Sequence, residues 1–115
     1  MEDTTNRAVE SNADAKISLG GNIELSGFNV VDGAGMIVVK KIVGNYARRF
    51  SEITKQFELL SLTLKTVHER EKSEKYELHA KVMDTGKSYT AEVTDRNLFF
   101  AIDNVLKKVE QEISK

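Results

Sequence analysis

Three successive stretches of this chain place an apolar residue at every second position, and that pattern limits the fold more than any other feature. In QFELLSLTLKTV, Leu60, Leu62 and Leu64 share one face, while Ser61, Thr63 and Lys65 share the other. Tyr76, Leu78, Ala80 and Val82 then alternate with Glu77, His79, Lys81 and Met83, and Tyr89, Ala91 and Val93 form a third series. A two-residue repeat is the mark of a strand with one buried face. Asp84-Thr85-Gly86-Lys87 is short enough to join two such strands tightly, with Gly86 supplying positive φ. The charged segment from His68 to Ser73 is predicted as the other connecting loop. The sequence therefore predicts an antiparallel meander with one apolar and one polar side.

The segments around the meander have a different period. Met36, Val39, Val43, Tyr46, Phe50 and Ile53 recur at helical spacing after Asp32-Gly33-Ala34-Gly35, and Leu98, Ile102, Val105, Val109 and Ile113 do so near the end. Thr94 or Asp95 is the expected cap of this last helix. Gly44, inside the first helix, costs about 1 kcal/mol relative to Ala and implies close packing or a locally weak helix. Ile17, Leu19, Ile23 and Leu25 alternate with polar residues around Gly20-Gly21, which predicts one strand broken by a bulge or bend. The predicted order is β-α-β-β-β-α. Each helix has one apolar stripe and each strand one apolar face, so both helices lie on one face of a four-stranded sheet. The expected fold is an α+β two-layer sandwich.

With 115 residues there is room for one core. Residues 1–15 hold four carboxylates against Arg7 and lack periodicity, so they are expected to form a flexible acidic tail ahead of a single domain over 16–115. With the tail set apart, the domain is mildly basic although the whole chain carries −1. The apolar runs are too short for a bilayer, which needs about 20 residues, and the acidic start is unlike a secretory signal. No membrane association is expected, and a cytoplasmic location is.

The chain has no cysteine, which excludes disulfides, thiolate nucleophiles and cysteine zinc sites. His68 and His79 are the only histidines, and neither has ligand partners at metal-site spacing in the sequence. The glycines at 33 and 35 lack the remainder of a phosphate-binding motif and are read as turn chemistry. No carboxylate pair has a spacing or an apolar setting suited to acid–base work. We expect no enzyme, no metal and no cofactor.

The remaining candidates are cations on helices. Lys40, Lys41, Arg48 and Arg49 on the first helix and Lys107 and Lys108 on the last are placed to follow a phosphate backbone if the two helices lie side by side. The plain alternative is that they only solvate helix exteriors. Tyr76 and Tyr89 share faces with apolar residues and are assigned to the core. The polar sheet face, with Glu24, Ser26, Ser61, Thr63, His79, Lys81, Thr90 and Glu92, either meets water or pairs with a second copy.

Two segments resemble a known family. NIELSGFNV at 22–30, with Ile23, Leu25 and Gly27, is similar to the first-strand motif I-x-I-x-G of the ribosome hibernation factors, which bind the small ribosomal subunit in resting cells. NLFFAIDNVLKKVEQEISK is similar to that family's last helix over Asn97 to Asp103 and at Lys108, Ile113 and Lys115; Phe99, Asn97 and Gln111 replace its usual Tyr, Asp and Arg. The resemblance implies a short-form factor that contacts ribosomal RNA through the six helix cations. It also implies that such a factor suppresses translation by occupying the channel of messenger and transfer RNA. The alternative is a protein-interaction or homodimerising domain of the same fold without RNA affinity.

Overall fold

A computed structural model describes residues 16–68 and 74–115. The expected acidic tail, and residues 69–73 of the expected loop, lie outside the described residues. The chain is α+β, with two helices and a mixed, open, five-stranded sheet: β1 (Lys16–Ser18), β2 (Ile23–Ser26), α1 (Gly33–Ile53), β3 (Phe57–His68), β4 (Glu74–Asp84), β5 (Lys87–Asp95) and α2 (Leu98–Ile113). Spatial order follows chain order.

The sheet has five strands, not four. The segment expected to be one bent strand is a hairpin, with Ile17 opposite Leu25 in antiparallel register. Gly20 and Gly21 both adopt positive φ, so they reverse the chain rather than bulge it. β2 then runs parallel to β3, with α1 as the crossover between them, and β3, β4 and β5 form the expected antiparallel meander. At the β4–β5 turn both Thr85 and Gly86 have positive φ, as a two-residue hairpin requires. Threonine is a poor residue there, but its hydroxyl donates to Asp84 Oδ1 at 2.7 Å. Asp84 also accepts from the Gln56 backbone N–H at 2.9 Å, and these bonds hold its carboxyl below the usual range.

Leu25, Leu60, Leu62, Leu64, Leu78, Ala80 and Val82 from the strands are buried with Val39, Val43, Tyr46, Ala47 and Phe50 of α1 and Ala101, Ile102, Val105, Leu106 and Val109 of α2. Tyr76 and Tyr89 pack against this cluster, as expected. Each fully buried Leu or Phe stabilises the fold by about 1.5–3 kcal/mol relative to exposure. Ile53, assigned to the α1 stripe, is instead 43% exposed, because α1 ends there and the chain turns away at Thr54. Between β2 and α1 a short 3-10 turn inserts Phe28 fully into the core.

Both helix starts are capped. Asp32 Oδ1 accepts from the Gly35 N–H at 2.7 Å, which is the local role of the Asp-Gly-Ala-Gly stretch. The α2 cap is Asn97, not Thr94 or Asp95: its side chain accepts from the Phe100 N–H at 3.0 Å, while Asp95 accepts from the Asn97 N–H one step earlier. Ladder pairing carries β5 through Asp95, which removes both expected residues from the cap position.

Candidate nucleic-acid interface

α1 and α2 lie side by side in parallel. The Gly35 position approaches the Phe99 ring, Tyr46 Oη donates to Asp103 Oδ1 at 2.9 Å, and Arg49 bonds Glu110 through Nε at 3.1 Å and Nη2 at 2.8 Å. Arg49 also stacks over the Tyr46 ring, 4.7 Å from its centroid. Burial and the Asp103 contact push the Tyr46 hydroxyl up to about 12. These contacts make a seam between the two helices that runs from buried Tyr46 to exposed Arg49.

The seam separates Arg49 from the other five predicted cations. Arg49 is bidentate with a carboxylate and ties α1 to α2, so it is not an unpaired charge awaiting phosphate. Lys40, Lys41, Arg48, Lys107 and Lys108 are all exposed, and among the described residues none has a carboxylate at ion-pair distance. They do not form one strip. Neighbouring helix residues diverge by about 100°, so each lysine pair splits between two directions. Residues seven apart share a bearing, which lines Lys41 up with Arg48 on α1, roughly 10 Å further along, and Phe100 with Lys107 on α2. Given the buried stripes and the seam, both lines face away from the sheet. Lys40 and Lys108 project toward opposite flanks. Charge is also unequal between the helices: α1 carries four cations against Glu52, whereas α2 carries two against Asp103, Glu110 and Glu112.

Sequence reading missed the apolar residues of this surface. Phe100 is 66% and Ile37 70% exposed, with Val30, Val38 and Phe99 less so. All lie at or just before the helix starts, which the Gly35–Phe99 contact brings together. The signal was present: Phe100 and Ile37 stand outside both helical stripes, where polar residues are expected. The outer helix surface therefore begins apolar and aromatic and continues cationic.

A second grouping lies on the open sheet face. Glu77, His79 and Glu92 converge there, with His79 Nε2 2.5 Å from Glu77 and Nδ1 3.6 Å from Glu92. His79 and Glu92 meet because they are register partners across β4 and β5, which spacing along the chain does not reveal. The hydrogen bond from His79 holds the Glu77 carboxyl below its usual range. Glu77 thus holds one ring nitrogen by a hydrogen bond, while Glu92 stands near the other without forming one; the trio is a candidate ligand set by type alone, and these contacts account for its convergence.

No protein-family model and no curated protein matches this chain.

Proposed function

We propose that this chain is a non-enzymatic RNA-binding factor that docks its helix layer on ribosomal RNA of the small subunit and suppresses translation under stress. That target and that outcome are what the resemblance of the last helix and first-strand motif implies. A cytoplasmic location follows from the target; among the described residues no helix is long and apolar enough to cross a membrane.

The observation that carries the reading is the outward pairing of Lys41 with Arg48 beside Phe100 with Lys107. Unpaired cations neutralise phosphates, and an exposed aromatic ring offers a base a stacking surface worth about 1–3 kcal/mol. The test is co-sedimentation with small ribosomal subunits at two salt concentrations. The expected result is salt-sensitive pelleting that is lost in Lys41→Glu/Arg48→Glu/Lys107→Glu and retained in Lys81→Glu on the opposite face. Those three cations should account for roughly 2–3 of the wild-type salt slope. Pelleting absent at both salts, or equally lost in the Lys81 variant, would sink the reading.

The exposed Val30, Ile37, Val38 and Phe99 favour a second reading, a protein-interaction domain using the same end of the helix layer. That reading expects binding that survives high salt and the triple reversal but fails in Ile37→Glu.

A further inference from the structure

The sheet has two edges of very different character. β1 is three residues long and offers little to pair with, whereas β5 runs for nine residues, and among the described residues nothing pairs with its outer side. Soluble proteins usually blunt such an edge with proline, a bulge or several charges. The chain has no proline, the β4–β5 ladder has no register shift, and between the terminal Lys87 and Asp95 the strand carries one charge, Glu92. We infer that the β5 edge is the contact of a homodimer in which two copies pair antiparallel, centred on Ala91, into one continuous sheet.

The register follows from the hairpin. Asp84 and Lys87 close a two-residue turn and so form a hydrogen-bonded pair, which directs the backbone groups of residues 87, 89, 91, 93 and 95 toward β4. The groups of Ser88, Thr90, Glu92 and Thr94 point outward. A two-fold axis at Ala91 sets Thr90 opposite Glu92 and Ser88 opposite Thr94 of the second copy, forming roughly eight new backbone hydrogen bonds.

The side chains are self-complementary in that register. Lys87 falls opposite Asp95 of the second copy at both ends, and half-buried Tyr89 falls opposite Val93 on the helix side. Sliding by one pair toward the C-terminal end sets Glu92 against its own copy. Sliding the other way leaves Lys87 opposite Val93. The Ala91-centred register alone pairs all nine residues without like charges meeting. Sequence reading considered the polar sheet face for a second copy; the edge has the stronger claim because, among the described residues, its outward backbone groups have no strand to pair with.

The full chain should sediment at twice the monomer mass at high micromolar concentration. Thr90→Pro removes an outward N–H without touching the β4 ladder and should give a monomer with unchanged circular dichroism. Ala91→Cys should cross-link to itself on oxidation, since facing residues at a non-hydrogen-bonded pair have Cα atoms about 4.5 Å apart, and this chain has no other cysteine. Ser88→Cys, which faces Thr94 of the second copy and not itself, should stay uncross-linked under the same oxidation at the concentration where Ala91→Cys links; efficient linking through Ser88→Cys would overturn the register. In the wild-type chain, the Ser88, Thr90, Glu92 and Thr94 amides should exchange more slowly as concentration rises, a readout that does not depend on any variant folding. A monomer at every concentration overturns the inference. So does a dimer that survives Thr90→Pro and leaves the Ala91→Cys thiol free. No arm uses RNA, so this result and the ribosome result stand or fall separately.

Discussion

Gly27 and Gly44 have opposite claims on the fold. Gly27 has φ of 82°, and a Cβ there would run into the Leu64 carbonyl of the neighbouring strand. Gly44 lies on the exposed side of α1, where an added Cβ meets nothing. Gly27→Ala should therefore destabilise by roughly 1–3 kcal/mol from backbone strain alone, and more from the clash. Gly44→Ala should stabilise by about 0.5–1 kcal/mol, because alanine loses less backbone freedom in a helix. Denaturant midpoints of the two variants check both signs; equal shifts would contradict the contrast. The sequence marked both glycines but not which was which. Gly27 entered through a motif, and Gly44 as a choice between close packing and local weakness, because a glycine's surroundings are set by residues distant in the chain.

At the scale of elements, the seam between α1 and α2 is the least legible feature and the easiest to probe. Tyr46→Phe removes the donor to Asp103 and should cost about 1 kcal/mol at neutral pH. A raised tyrosine pKa means that the protonated form is favoured in the folded state. Its contribution is complete below pH 10 and is lost as pH rises toward about 12. The stability gap between wild type and Tyr46→Phe should therefore close across that window in chemical denaturation, and a gap independent of pH would show that the bond does not supply it. Helix stripes and strand faces were readable because each repeats within one segment. The caps and the first hairpin were not: Asn97 caps only because β5 continues to Asp95, and Gly20-Gly21 reverses the chain only because Ile17 finds Leu25.

For the whole molecule, both helices on one side of the sheet leave two broad surfaces of different chemistry. Ultraviolet cross-linking to ribosomal RNA should mark peptides holding Phe100 and Lys41 and spare those of the open sheet face holding Ser61, Thr63 and Lys81; the reverse distribution would move the interface to the sheet. Of the candidate site, the sequence named all six cations, but it grouped them as adjacent pairs. The folded helices divide those pairs by bearing, give Arg49 to Glu110, and set exposed Phe100 and Ile37 beside the remainder. By itself the sequence determined the class of fold, the buried face of each main element and the exposure of the cations, because period and polarity act over a few neighbouring residues. Only tertiary structure decided the five-strand sheet, the meeting of Glu77, His79 and Glu92, the helix seam and the open β5 edge. Each of those depends on which distant segments pair and in what register, and a repeat of two or 3.6 residues carries no record of its partner.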